Sequence, residues 1–262
     1  MEQRWPCRVV GSRDGPAIVF LHGFLGSADS WAAVAEILAD QFCCLLPDLP
    51  GHGHNQTRLG RWPSLGQWAL QLNSLLDEHG VEKIHLAGYS LGGRLALRFA
   101  LEFPERLLSL VLESASPGLR TEAERAARRK LDRMRAQELR IGQKRVFLEE
   151  WYHQPIFGKI NEERRERLIQ AGQGSDARQM ALIIQTLSPG REPSLWDSLS
   201  LLTMPILLIG GGEDQVYCKI LKEMAGLIRQ VRLHLFPGIG HNVHAFFPQE
   251  VASLLREFFL GL

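Results

Sequence analysis

The chain has 262 residues, of which 45% are hydrophobic and 23% charged, and its formal net charge is +1 at pH 7. This length and balance fit one large globular domain with room for an insertion. So small a net charge creates no global field, which argues against a nucleic-acid or membrane-surface partner, and no apolar run approaches the roughly 20 residues of a membrane span.

Along the first half of the chain, short apolar runs alternate with segments of helical periodicity. Runs such as residues 17–21 are entirely apolar, which is typical of parallel strands buried on both faces. The alternation implies right-handed crossovers and predicts an α/β fold with a doubly wound, mostly parallel sheet. We predict strands at residues 8–11, 17–21, 42–46, 84–87 and 107–112, and helices at residues 31–39, 65–79 and 91–100.

The pattern changes at residue 119, after which helix follows helix as far as residue 199. Strands resume at residues 206–210 and 231–236, and residues 251–260 form an amphipathic closing helix. We therefore divide the chain into a core of residues 1–118 and 200–262 and a helical lid of residues 119–199.

The first part of the lid is strongly basic. We expect most of its cations to lie on a solvated helix face and one or two to face a substrate, since arginine binds carboxylates through two hydrogen bonds. The cations are Arg120, Arg125, Arg128, Arg129, Lys130, Arg133, Arg135, Arg140, Lys144 and Arg145.

The cysteines, Cys7, Cys43, Cys44 and Cys218, follow neither a disulfide framework nor a zinc-binding spacing. Residues 1–6 lack the apolar stretch of a signal peptide. We expect a cytoplasmic protein with free thiols and neither a metal nor another cofactor.

Residues 88–92 form a G-x-S-x-G pentapeptide between a predicted strand and a predicted helix. A serine in this place lies in a sharp turn, and the flanking glycines are needed because a Cβ would strike the neighbouring backbone. The turn exposes the Ser90 hydroxyl at a helix N-terminus, where developing negative charge is favoured. The alternative is a glycine-rich turn with an incidental serine.

An acid and a histidine follow two strands near the C-terminus, which favours a catalytic role for Ser90. Asp214 and His241 complete the order Ser, Asp, His of the α/β-hydrolase fold. The histidine would activate the hydroxyl as a base, and the acid would fix the tautomer of the imidazole. Glu213 is the rival acid, and His244 is the rival histidine.

Two backbone N–H groups are expected to form the oxyanion hole, those of Leu91 and Phe24. Loss of one such donor typically lowers the rate about 100- to 1000-fold. His22, just before Phe24, is expected to hold this loop by side-chain hydrogen bonds.

Within the α/β hydrolases, four segments together resemble the MenH family of 2-succinyl-6-hydroxy-2,4-cyclohexadiene-1-carboxylate (SHCHC) synthases. They are residues 88–94 (GYSLGGR), 113–119 (ESASPGL), 151–157 (WYHQPIF) and 240–244 (GHNVH). The similarity extends over essentially the whole chain.

The resemblance implies a lyase of menaquinone and phylloquinone biosynthesis. Its substrate, SEPHCHC, is a small polycarboxylate with a pyruvyl enol ether and a succinyl chain. Ser90, activated by His241 and Asp214, would remove a ring proton, and electron flow through the ring would expel pyruvate. The reaction requires no acyl-enzyme.

By the same resemblance, Tyr89, Arg94, Arg128 and Trp151 would line the substrate pocket. Arg94 lies one helical turn beyond Ser90, on the same side of the helix, and Trp151 offers an indole N–H and an apolar face. The alternatives are a surface ion pair for Arg94, lid packing for Trp151, and a solvated side chain for Arg128, with a neighbouring arginine (Arg125 or Arg129) facing the site instead.

The chain departs from the family at two places. Gly172 occupies a lid position that often carries an arginine. The alternatives are that Arg167 or Arg178 substitutes for it or that the charge is absent. The basic residue and phenylalanine that usually follow the triad acid are replaced by Gln215-Val216-Tyr217.

Two other functions stay open. A carboxylester or C–C bond hydrolase with the same triad would turn over p-nitrophenyl esters with burst kinetics. A non-enzymatic binding scaffold would be expected to lose a triad member, whereas this chain keeps all three.

Overall fold

A computed structural model describes residues 4–55, 57 and 64–262 of the chain. The first three residues of the segment assessed for a signal peptide lie outside the described residues. Among the described residues, seven strands form one sheet. In chain order they are β1 (Cys7–Val10), β2 (Ala17–Leu21), β3 (Cys43–Pro47), β4 (Ile84–Tyr89), β5 (Leu107–Glu113), β6 (Ile206–Gly211) and β7 (Val231–Phe236).

The strand order is β1-β3-β2-β4-β5-β6-β7, and only the edge strand β1 is antiparallel to its neighbour. The five strands β2 to β6 contain completely buried apolar side chains, such as Ile18, Leu110 and Leu208. This is the α/β-hydrolase fold with a doubly wound, mostly parallel sheet that the sequence predicts.

The helices connect the strands and cover both faces of the sheet. They are α1 (Ala32–Leu38), α2 (Leu65–Glu78), α3 (Leu91–Glu102), α4 (Glu122–Ile141), α5 (Lys144–Tyr152), α6 (Glu162–Gln173), α7 (Ala177–Thr186), α8 (Gln215–Ala225) and α9 (Pro248–Leu260). Right-handed crossovers place α1 on one face and α2, α3 and α8 on the other. The packing agrees, because α1 contacts α9 and α2 contacts α3.

The predicted strands are confirmed within two residues, and those at 17–21 and 231–236 have the predicted bounds. Helix α8 was not predicted. Its first turn begins at Asp214, whose side chain caps the helix by accepting the N–H of Tyr217. Helix α1 is shorter than predicted because residues 28–31 form a separate 3-10 turn.

Helices α4 to α7 lie between β5 and β6 in the chain, within the segment that we assign to the lid. They pack as two pairs, α4 with α7 and α5 with α6. Among the described residues, no helix combines the length and apolar character needed to cross a membrane.

The reversal in strand order falls between β2 and β4. In open parallel sheets, ligands bind at the carboxyl ends of the strands where the order reverses. Leu21 at the end of β2 pairs with Gly88 of β4, so the loop that begins at His22 lies beside Ser90. The fold therefore brings the loop that begins at His22 and the turn at Ser90 together at the carboxyl ends of the strands.

Candidate active site

Ser90 lies in a strained turn between β4 and α3. Its backbone has φ 52° and ψ −108°, a conformation that residues other than glycine rarely adopt. A Cβ on Gly88 would lie 2.5 Å from the Gly92 carbonyl oxygen, and one on Gly92 would lie 2.3 Å from that of Leu21. The glycines are thus required for the close approach of α3 to β2 and β4, as the sequence predicts.

Three side chains that are distant in sequence meet at this turn. His241 Nε2 lies 3.0 Å from Ser90 Oγ, and His241 Nδ1 lies 2.7 Å from Asp214 Oδ2. Asp214 and His241 are almost completely buried. The carboxylate therefore holds the Nδ1 proton, which leaves Nε2 free to accept the serine proton.

The rival acid and histidine have other partners. Glu213 turns away and accepts the backbone N–H of Lys159 at 2.9 Å. His244 Nδ1 lies 2.9 Å from Glu113 Oε1, and its ring stacks on Trp31 with centroids 3.8 Å apart. Of the two acids and two histidines considered, Asp214 and His241 are hydrogen-bonded to each other, and His241 is also hydrogen-bonded to Ser90.

Glu113 anchors the loop that carries His241. Its Oε1 atom also accepts the N–H of Val243 at 2.8 Å and of His244 at 3.2 Å. Glu113 ends β5, and its own carbonyl accepts the N–H of Ser90 at 2.9 Å. One residue thus supports both the nucleophile turn and the histidine loop.

The loop after β2 is fixed by His22. Its Nδ1 donates to the Gly23 carbonyl at 2.8 Å, and its Nε2 accepts the N–H of Leu49 at 3.0 Å. These two bonds require a neutral ring, and burial lowers the pKa of His22 to about 4. The expected loop-holding role of His22 matches this geometry.

Phe24, which follows in that loop, packs against the lid. Its ring lies 5.1 Å from that of Trp151 on α5, measured between centroids. Leu91 is the first residue of α3, so its N–H has no acceptor within the helix. Both N–H groups stay our proposed oxyanion donors.

A cavity of about 570 Å³ opens above the serine, between the sheet edge and the lid. Its walls include Phe24, Tyr89, Ser90, Arg128, Trp151 and His241. This volume is within the range of small-molecule sites.

Two lid guanidinium groups line the cavity, Arg128 and Arg135 on α4. Buried Asp132 lies between them, with Oδ2 2.8 Å from Arg128 Nε and Oδ1 3.8 Å from Arg135 Nη1. Arg135 also lies 5.1 Å above the Trp151 ring and donates to Gln154. These contacts hold two cations ready for an anionic ligand.

The neighbouring arginines are engaged elsewhere. Arg125 pairs with Glu122 at 3.0 Å, and Arg129 donates to the carbonyl of Gly190 at 2.7 Å. Of the three arginines considered for this role, Arg128 is the one that lines the cavity.

Arg94 lies half-buried below the lid and is not part of the cavity wall. Its Nη1 donates to the carbonyl of Leu187, just after α7, at 2.8 Å. Among the described residues, its Nη2 has no hydrogen-bond partner. Burial lowers the pKa of Arg94 to about 10, so the group keeps its charge at neutral pH. Its role in substrate binding stays a proposal.

The lid position of Gly172 is closed by packing, because a Cβ there would lie 2.8 Å from Leu148 Cδ2. Neither suggested substitute lines the cavity. Arg167 pairs with Glu163 at 2.5 Å on the surface, and Arg178 is exposed. The second cavity cation is Arg135, for which the sequence predicts only a place among the lid cations.

Tyr217 was noted in the sequence as a departure and given no role. It lines the cavity, and its ring lies 4.5 Å from that of His241. The signal that could have found it is its spacing, three residues after the acid at the start of a helix.

No cluster of three or more histidine, cysteine or acidic side chains that could hold a metal ion occurs in residues 4–55, 57 and 64–262.

The chain was compared with known families and proteins. Residues 16–248 match the family model described as the alpha/beta hydrolase fold. A Bacillus subtilis (strain 168) protein named putative 2-succinyl-6-hydroxy-2,4-cyclohexadiene-1-carboxylate synthase is 33% identical over 256 residues, covering 96% of this chain and 93% of its own.

Two further proteins agree with this match. The 2-succinyl-6-hydroxy-2,4-cyclohexadiene-1-carboxylate synthase of Serratia proteamaculans (strain 568) is 32% identical, covering 96% of each chain. The structure of MenH from S. aureus superposes with a TM-score of 0.92 at 29% identity, covering 97% of this chain and 98% of that one.

Proposed function

The chain belongs to the α/β-hydrolase family and, within it, to the SHCHC synthases (MenH), and we propose that it converts SEPHCHC to SHCHC and pyruvate in menaquinone or phylloquinone biosynthesis. The observation that carries this proposal is the hydrogen-bonded series Ser90, His241 and Asp214, which opens onto a cavity with two guanidinium groups. We further propose a cytoplasmic location, because a reducing compartment keeps free thiols reduced.

In this scheme Ser90 is the base. His241 Nε2 takes the hydroxyl proton across 3.0 Å, and Asp214 stabilises the imidazolium that forms. The Ser90 oxygen removes the acidic ring proton of the substrate. The electron pair moves through the ring and breaks the bond between the ring carbon and the oxygen of the pyruvyl enol ether. The enolate of pyruvate leaves and accepts a proton, which the His241 imidazolium supplies as it returns to its neutral form.

The oxyanion donors act on charge that develops on the substrate during proton removal. The N–H groups of Phe24 and Leu91 belong to two different elements, the loop after β2 and the start of α3. Such preorganised donors stabilise the transition state more than the ground state.

A polycarboxylate substrate requires cations in its binding site. We assign Arg128 and Arg94 to its carboxylates, with Arg135 as a further cation, and Tyr89 and Trp151 to the walls of the site. Arginine is suited to this task because its fork matches the two oxygens of a carboxylate.

Pyruvate release from SEPHCHC, coupled to lactate dehydrogenase, tests the proposal. The wild type should release one pyruvate per substrate, and Ser90→Ala should release none while still binding SEPHCHC in a calorimetric titration. Ser74→Ala, on the exposed side of α2, is the matched control and should behave as wild type. Absence of pyruvate release by the wild type, or normal turnover by Ser90→Ala, would overturn the proposal.

An esterase assay on the wild type and Ser90→Ala distinguishes a synthase from a hydrolase. A hydrolase with this triad would release p-nitrophenol from p-nitrophenyl esters with an initial burst, since it forms an acyl-enzyme. We expect little ester turnover and no burst.

A further inference from the structure

Tyr217 is placed by the triad itself. Its backbone N–H donates to Asp214 Oδ1 at 3.1 Å, while the other oxygen of that carboxylate holds His241. Its ring meets the His241 ring at 66° with centroids 4.5 Å apart. The phenol therefore keeps a fixed position beside the imidazole.

The hydroxyl of Tyr217 has no internal role that we can identify. No hydrogen bond joins it to any residue in the described part of the chain, and the half-buried side chain lines the cavity. A hydroxyl that opens onto a cavity takes its hydrogen-bond partner from water or from a ligand bound there. The open position in the cavity is thus suited to a ligand oxygen.

Two cations act on this phenol from the lid side and from α3. The phenol interacts electrostatically with the cations Arg128 and Arg94 and with the acids Asp214 and Asp132. The Nη2 of Arg94 has no hydrogen-bond partner among the described residues. Burial raises the pKa of Tyr217, so the hydroxyl keeps its proton throughout the neutral range and acts as a donor. A neutral donor that shares the cavity wall with the Arg128 guanidinium matches the acceptor oxygens of a carboxylate.

We propose that the Tyr217 hydroxyl donates a hydrogen bond to a carboxylate of the substrate and is a specificity-determining residue of the site. The inference rests on the proposed function, because it takes the ligand to be a polycarboxylate. A role in binding fits better than one in proton transfer, since a phenol with a raised pKa is a poor acid or base at neutral pH.

Tyr217→Phe tests the inference, because it removes the hydroxyl and keeps the ring beside His241. In a Ser90→Ala background, Tyr217→Phe should weaken SEPHCHC binding roughly 10- to 100-fold, the range expected for a hydrogen bond to a charged group. In the active enzyme it should raise KM by a similar factor, equally at pH 6 and pH 8. Lys219→Ala, exposed on the same helix, is the control and should leave both values unchanged.

The outcomes separate this inference from the proposed function. Unchanged SEPHCHC affinity in Tyr217→Phe, with pyruvate release intact in the wild type, overturns the inference alone. If the wild type neither releases pyruvate nor binds SEPHCHC, the proposed function fails, and malate then serves as a plain dicarboxylate probe. Weaker malate binding by Tyr217→Phe than by wild type supports the inference, and equal or absent binding overturns it.

Discussion

The carboxylate of Glu113 lies 2.9 Å from Nδ1 of His244, and both side chains are buried beneath the histidine loop. We expect Glu113→Ala to destabilise the protein by about 1–3 kcal/mol for each buried donor left without an acceptor, and these donors include the N–H groups of Val243 and His244. It would also lower kcat, because the loop that carries His241 loses its acceptor. Glu113→Gln keeps an acceptor oxygen and should recover much of both.

Urea unfolding and pyruvate release measure these effects, with exposed Glu105→Gln as the control. Equal stability of Glu113→Ala and wild type would contradict the anchoring role.

Gly92 tests the geometry of the nucleophile turn. A methyl group there would lie 2.3 Å from the Leu21 carbonyl oxygen, so α3 would have to move away from β2. We expect Gly92→Ala to lose several kcal/mol of unfolding free energy, as overpacking does, and to lose activity. Gly66→Ala in α2 is the matched control, because a Cβ there would lie 3.5 Å from its nearest neighbours, the side chains of Arg98 and Glu102. It should be neutral or stabilising by up to about 1 kcal/mol in urea unfolding.

Arg94 joins α3 to the end of the lid through the Leu187 carbonyl, and we propose that it also binds a substrate carboxylate. Arg94→Ala should raise KM and lower kcat together, because a charge that orients the reacting centre is lost. It should also reduce the unfolding free energy by about 1–3 kcal/mol, since the Leu187 carbonyl loses its buried donor.

Arg98→Ala, one turn further along α3 in a partly exposed pair with Glu102, is the control for steady-state kinetics and urea unfolding. A loss of stability with unchanged KM and kcat would assign Arg94 a purely structural role.

Buried histidines make the stability depend on pH. Burial lowers the pKa of both His22 and His85 to about 4 in the folded protein, against about 6.5 in an unfolded chain. Between these values the unfolded state binds more protons, so the unfolding free energy should fall as the pH falls from 6.5 towards 4. Above pH 6.5 these residues contribute no pH dependence.

Urea unfolding at pH 7 and pH 4.5 measures this loss, to which each histidine should contribute about 2 kcal/mol at pH 4.5. His85→Gln, at a site where the ring bonds to Ser109 Oγ at 2.8 Å, should reduce the difference between the two pH values. Exposed His153→Gln should not. An unchanged difference in His85→Gln would contradict the assignment.

The sheet and the triad could be predicted because local pattern determines them. An apolar run such as Ala17–Leu21 has no alternative to burial on both faces. The glycines around Ser90 and the acid and histidine after β6 and β7 also follow the strand ends, where a parallel sheet gathers its loops.

The cavity walls could not be predicted, because they depend on where long side chains end. Spacing puts Arg94 on the same side of α3 as Ser90, yet its guanidinium reaches Leu187 after the lid helices. Arg135 carries the same pattern as the other lid arginines, and only the packing of α4 over Trp151 turns it inward. Helix α8 was missed because Asp214 was interpreted as a catalytic acid alone, although it is also the helix cap.

The two oxygens of Asp214 accept hydrogen bonds from two different elements, one from the His241 imidazole and the other from the first turn of α8. An alanine at this position would therefore confound chemistry with architecture, because the same substitution loosens the segment that presents Tyr217. Asparagine keeps an oxygen for the helix but replaces the carboxylate that His241 contacts. Comparing Asp214→Ala with Asp214→Asn therefore separates the loss of helix capping from the loss of the carboxylate beside the imidazole.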